Sequence, residues 1–185
     1  MNIGQNIDII IDNFSTLNGS AEKIQEITDV CIESLNKGGK IMLCGNGGSA
    51  ADAQHIAAEL VVRYKKNRKA IPAIALTTDT SILTAIGNDF SAEKIFERQV
   101  EALGNNGDVL IAFTTSGNSQ NILYAVEEAK SHGIKTIAIT GKDGGKIKDI
   151  ADITLKTPSE ITNNIQEMDI AVGHIICEII ENSVC

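Results

Sequence analysis

The sequence has no Trp, and aromatic residues make up only 3% of its 185 residues. A core without large rings has to be assembled from Ile, Leu, Val and Ala. None of the four cysteines, at 31, 44, 177 and 185, belongs to a CxxC pair. Cys31, Cys44 and Cys177 lie in strongly apolar segments and Cys185 is the last residue, which predicts buried free thiols. Positive charge is scarce: Lys and Arg number 16 against 24 Asp and Glu, a net charge of −8. That excludes nucleic acid as a bulk electrostatic partner, because a phosphate backbone calls for basic patches. It leaves room for a small phosphorylated molecule, which backbone amides and hydroxyls can hold at any net charge. The one basic cluster, Arg63 to Lys69 with Lys65, Lys66 and Arg68, reads as a solvated loop. No signal peptide, membrane-spanning run or lipidation motif is present, so a cytoplasmic location without a membrane partner is expected.

The remaining composition is ordinary for a globular chain, with 43% hydrophobic and 22% charged residues. A chain of this length buries a core without disulfide or metal staples. Residues 1–185 are expected to form a single domain, with no linker, repeat or low-complexity segment. The first forty residues read as helix, with Ile24, Ile27, Val30, Cys31 and Leu35 three or four apart and Gly38-Gly39 as the stop. Short apolar runs follow at Lys40–Cys44, Ile71–Leu76, Val109–Thr114, Thr136–Thr140 and Ile153–Leu155. Helix-length stretches at 49–64, 91–103 and 119–131 separate them, with a shorter turn near 145–150. A last helix spans 163–182, with Ile165, Met168, Val172, Ile176 and Ile180 among its apolar set. Unbroken β-prone runs alternating with helices predict a three-layer α/β/α sandwich around a mainly parallel five-stranded sheet. The helices at 1–37 and 163–182 extend it at both ends and are candidates for oligomer contacts.

Two strand-to-helix loops stand out. Cys44-Gly45-Asn46-Gly47-Gly48-Ser49 follows the first strand, and Thr114-Thr115-Ser116-Gly117-Asn118-Ser119 follows the third. Glycines let the backbone approach a ligand, hydroxyls donate, and the helix N-terminus adds unpaired amides and partial positive charge. Each loop alone could be a plain capped turn; two in one sheet point to a phosphate cradle. Neither has the lysine of GxxxxGK[ST] nor the GxGxxG pattern, so no nucleotide cofactor is indicated. His55 and Glu59, four apart on the next helix, suit a shared metal or a base beside an acid. Their neighbours Ile56, Ala57, Leu60 and Val61 are apolar, which places the pair toward a site near the sheet. Gln166 and His174 are eight apart on the last helix and point broadly to one side.

In combination these segments resemble the phosphoheptose isomerases, which have the sugar isomerase (SIS) fold. The resemblance runs through Cys44–Ser49 with Ala50-Ala51-Asp52-Ala53-Gln54-His55 and Glu59. It continues through Ile86-Gly87-Asn88-Asp89-Phe90, Thr115–Ser119, Thr140-Gly141-Lys142-Asp143-Gly144-Gly145 and Ile165-Gln166-Glu167 with His174. It implies conversion of sedoheptulose 7-phosphate to glycero-manno-heptose 7-phosphate, in homotetramers with sites between subunits. By the same resemblance Asn46, Gly47, Gly48, Ser49, Thr114, Thr115, Ser116 and Ser119 hold the phosphosugar, and Glu59, Asn88, Asp89 and Gln166 also touch it. Glu59 and His174 are the implied acid/base pair, and His55, Glu59, Gln166 and His174 the implied site for one zinc per subunit. Two positions depart from the family pattern. Asn163-Asn164 replace Ala-Arg or Asp-Arg, and Asp169 stands where a His is usual. Two alternatives stay open: a relative that binds a replication initiator without catalysis, and a different phosphosugar isomerase or sensor. The first is expected to lack the residues at Glu59 and His174, which this chain has.

Overall fold

The computed structural model describes residues 2–184, and Cys185 lies outside the described residues. The β-prone runs form β1 Ile41–Gly45, β2 Ala73–Ala75, β3 Val109–Thr114, β4 Lys135–Thr140 and β5 Ile153–Lys156. They pair in parallel in the order β2-β1-β3-β4-β5. Every residue of β1 and β3 is buried, which is why these strands are apolar throughout: both of their faces are covered. Successive side chains go to opposite faces. Leu43, Ile111, Phe113 and Ile139 enter one core with Ile27, Ile56, Leu60 and Val172. Met42, Leu110, Ala112 and Ala138 enter the other with Val100, Ile122 and Val126. Each fully buried Ile or Leu contributes about 1.5–3 kcal/mol, so aliphatic residues suffice where rings are scarce.

The helices are α1 Ile3–Leu17, α2 Ala21–Asn36, α3 Gly48–Val61, α4 Thr80–Asp89, α5 Glu97–Leu103, α6 Gln120–Ser131 and α7 Thr162–Val184. α2, α3 and α7 cover one face of the sheet and α5 and α6 the other, giving the expected three layers. α1 reaches beyond the sandwich with Ile3, Ile7 and Ile11 exposed. Among the described residues no helix is long and apolar enough to cross a membrane. Cys31, Cys44 and Cys177 are free and buried, and burial pushes each thiol up to about 12.

Three local expectations change. The N-terminal helix is interrupted by a 3-10 turn at Asn18–Ser20. The second strand is shorter than its apolar run. The helix expected over 91–103 is a 3-10 turn, Ala92–Lys94, followed by α5, and α4 precedes them without having been anticipated. Asp79 caps α4 by accepting from the Ile82 N–H at 3.0 Å. Ile82, Leu83 and Ile86 recur at helical spacing along it, with Ile86 buried and Leu83 packed against the core.

Candidate active site

In this strand order the chain leaves β1 for β2 on one side, and β3 takes the other. The carboxyl ends of β1 and β3 therefore mark the topological switch point, where open α/β sheets form their binding crevice. A cavity of about 310 Å³ lies there, lined by Asn46, Gly47, Gly48, Ser49, Phe113, Thr114, Thr115, Ser119, Thr162 and Gln166. The start of α3 borders it, and Ser119 immediately precedes α6. Gly47 turns the chain into α3 at φ +57°, a conformation that a side chain disfavours. At Gly48 a Cβ would lie 2.6 Å from the carbon and oxygen of the Gln166 amide, so any side chain there would push the end of Gln166 aside. Asn46 and Asn121 exchange two amide hydrogen bonds, 3.0 and 2.8 Å, which fasten the first loop to α6. The Gly141 N–H donates to the Thr115 carbonyl at 3.1 Å and the Ile147 N–H to the Gly117 carbonyl at 3.0 Å, bracing the second loop from behind. The Thr114 hydroxyl is buried without a partner. An unpaired buried hydroxyl costs about 1–3 kcal/mol, which a ligand oxygen in the cavity would recover. Ser116 is exposed and outside the cavity lining; its Oγ accepts from the Asn118 N–H at 3.2 Å.

α3 and α7 both start at this edge of the sheet and pack side by side. Gly48 meets Gln166, Ile56 meets Gly173, and His55 meets His174. Along this seam His55 Nε2 lies 2.9 Å from His174 Nε2 and 3.3 Å from Glu59 Oε1. The three donor atoms all fall within 4.8 Å of one another. Ligands about 2.0–2.1 Å from a tetrahedral zinc sit about 3.3 Å apart, so this set fits one ion and leaves a coordination position for water or substrate. Ile56, Ala57 and Leu60 take the buried side of α3. His55 and Glu59 instead face the α7 flank, with the His55 side chain 49% exposed. The buried side of α3 is filled by aliphatic packing, so the pair faces the seam with α7.

Residues 7–141 match the family described as the SIS domain. The chain belongs to the SIS domain family. It is 54% identical over 175 residues to a phosphoheptose isomerase of Akkermansia muciniphila, covering 95% of this chain and 93% of that one. It is 62% identical over 154 residues to a phosphoheptose isomerase of a Nitratiruptor species, covering 83% and 82% of the two chains. The solved structure of the phosphoheptose isomerase of Neisseria gonorrhoeae superposes with a TM-score of 0.93 at 41% identity, covering 97% of each chain.

In this SIS chain most of the anticipated phosphate-loop residues line one cavity, and His55, Glu59 and His174 form one cluster. The Gln166 amide rests against Gly48 and borders the cavity, on the same helix as His174 and about two turns before it. Asn88 and Asp89 are exposed at the end of α4, where the Asn88 amide donates to Asp89 at 2.8 Å. Asn164 is buried in the first turn of α7 and accepts from Asn163 at 2.7 Å.

Between the cradle and the cluster lies a pair of acids. Asp169 is fully buried with neither oxygen paired. Burial, and then repulsion from Asp52, push its carboxyl up to about 8. Burial raises Asp52 to about 6 against the opposing pull of His55. At neutral pH Asp169 is therefore a neutral acid inside the seam.

Arg68 corrects another expectation. Lys65 and Lys66 are exposed as a solvated loop should be, but the Arg68 side chain is 3% exposed and paired with buried Glu181 at 2.9 Å. Sequence reasoning also passed over Thr162, Asn121 and Tyr64. Thr162 carried the signal of a hydroxyl at the start of a helix beside Asn163-Asn164; the other two carried none.

Proposed function

We propose that this SIS protein is a phosphoheptose isomerase. It interconverts sedoheptulose 7-phosphate and D-glycero-D-manno-heptose 7-phosphate through an enediol, the first step of bacterial heptose biosynthesis. One observation carries the proposal: the chain joins a hydroxyl- and amide-lined anion cradle to an imidazole–carboxylate–imidazole cluster. Its high identity to proteins of that name supports it.

The cradle binds the phosphate through the amides at the start of α3 and the hydroxyls of Ser49, Thr114, Thr115 and Ser119, with Ser116 at its rim. Glu59 takes the proton from C1 of the ketose while His174 delivers one to O2. The enediol then loses the O1 proton to His174 and regains a proton at C2 from Glu59. Atoms and charge balance without a redox cofactor. Zinc, when bound, would be held by His55, Glu59 and His174 with the Gln166 amide oxygen as fourth ligand, and would polarise the sugar carbonyl as a Lewis acid. A carboxylate shared with a metal is a weaker base, so Glu59 cannot be ligand and base at full strength at once.

The working unit in this proposal is a homotetramer with sites between subunits. In such an assembly a second copy would bring further residues to the site that Gln166 borders. The exposed apolar stripe Ile3, Ile7 and Ile11 on α1, with Ile175 on α7, supports such an assembly. Asn88 and Asp89, exposed in the single chain, reach the sugar in the same way. A cytoplasmic location completes the proposal.

The alternative of a partner-binding SIS protein is disfavoured by the presence of Glu59 and His174 in contact distance of His55. Running the reaction in heavy water tests the mechanism. Deuterium at C2 of the aldose and at C1 of recovered ketose is the expected result. Turnover without any carbon-bound deuterium would rule out proton transfer by an exchangeable base.

A further inference from the structure

Beyond Val61 the chain leaves α3 through residues 62–69, and one buried carboxylate organises this loop. Glu181 is 2% exposed. One of its oxygens accepts from the Tyr64 N–H at 3.0 Å and from Arg68 Nε at 2.9 Å; the other accepts from the Lys65 and Lys66 N–H groups, both at 2.9 Å. Arg68 directs its terminal nitrogens mainly to the last turn of α3. They reach the Glu59 and Leu60 carbonyls, each at 2.8 Å, and one also reaches the Lys69 carbonyl at 3.0 Å. Helix-end carbonyls lack partners within their own helix, and Leu60 accepts from the Ile71 N–H as well. The clamp thus grips the backbone of the residue whose carboxylate stands at the cluster. Glu181 itself lies seven residues, about two turns, beyond His174 on α7.

The consequence falls on Tyr64. With its N–H held, its ring lies 5.6 Å from the His174 ring, centroid to centroid, tilted by 31°. His174 meets His55 edge-on at 5.0 Å on its other contact. The imidazole of His174 thus contacts two rings, one from α3 and one from the loop that Glu181 and Arg68 hold. The Tyr64 hydroxyl makes no hydrogen bond among the described residues, so the ring itself is the part that acts.

We propose that Tyr64, fixed by the Glu181–Arg68 clamp, is a positioning residue that sets the orientation of His174 against His55 and Glu59. It touches no reacting atom and acts through His174. This rests on the isomerase function proposed above. A misplacement of about 1 Å in a reacting group can cost about a hundredfold in rate, so the effect belongs in kcat. The cradle is about 10 Å away along α3, so KM should be spared.

The test uses the full chain carrying Tyr64→Ala or Tyr64→Phe. Alanine keeps the N–H that Glu181 binds and removes only the ring; phenylalanine keeps the ring. The expected result is a kcat at least about tenfold lower for Tyr64→Ala, a KM within about twofold, and near-full activity for Tyr64→Phe. In parallel, nitrogen-15 NMR of the His174 side chain should shift or broaden in Tyr64→Ala and stay in place in Tyr64→Phe. Full activity and an unmoved His174 signal in Tyr64→Ala would overturn the proposal, as would equal losses in both variants. If the unmodified protein turns over no phosphoheptose, the isomerase function fails, while the His174 signal still decides the positioning.

Discussion

Replacing Asp169 by Asn should flatten the pH dependence of stability. Asp169 is fully buried, neither of its oxygens has a partner, and its carboxyl is raised from 3.8 to about 8. The folded chain therefore keeps a proton that the unfolded chain releases. Below 3.8 both states hold the proton, and the group has no pH-dependent effect. As pH rises from 3.8 to about 8, only the unfolded state gains by ionising, so stability falls; above that the loss levels off. At about 1.4 kcal/mol per pH unit, the loss between about pH 5 and about pH 8 is on the order of 4 kcal/mol. Asn has nearly the same shape and no titration in this range. The assay is urea unfolding of both proteins at the two pH values and one protomer concentration, since association adds to apparent stability. The variant should lose at least about 2 kcal/mol less than the parent across that interval. Equal losses would refute the reasoning and mean that the Asp169 carboxylate has a partner.

Gly48→Ala would bring a methyl 2.6 Å from the Gln166 amide. The flexible end of Gln166 can give way, so the effect should fall on the cavity it borders: the KM for the sugar phosphate should rise a few-fold in steady-state assays, with the fold intact by circular dichroism. Asn121→Ala removes both amide bonds to Asn46. At about 1 kcal/mol per bond, KM should increase several-fold while kcat holds. Burial works to raise the Glu181 carboxyl, but three backbone N–H groups and Arg68 bring it down to about 2 from 4.5. Its stabilisation is present above 4.5 and lost as pH falls through about 2; Glu181→Gln should melt lower at neutral pH and show a shallower acid transition. His55→Ala should reduce zinc binding at least about tenfold by equilibrium dialysis, because it removes one of three close donors.

The phosphate loops were legible because their chemistry is local. Gly47, Gly48, Thr114 and Ser119 sit in unbroken stretches at strand ends, and the fold carries them to the β1/β3 switch point. The His55–Glu59 pair was legible as one helix turn, and its meeting with His174 became visible only when α3 and α7 packed in register. Arg68 misled because its partner, Glu181, lies 113 residues away, and no local pattern marks a cation for burial. α4 was passed over although it carried two signals, the Asp79 cap and the Ile82, Leu83 and Ile86 spacing; at ten residues it is a short stretch between longer patterns. Gln166 was legible as a polar residue on the His174 side of the last helix, and its place in the cavity lining became visible only when α7 packed beside α3.

The most direct test is to incubate the purified protein with sedoheptulose 7-phosphate and follow formation of the aldose, with and without chelator and added zinc, using His174→Ala as control. Turnover by the parent protein that disappears in His174→Ala is the predicted result, and the chelator arm shows whether metal takes part. Absence of aldose in every arm, with the sugar phosphate still raising the melting temperature, would contradict the isomerase function and leave a phosphosugar-binding protein on the same fold.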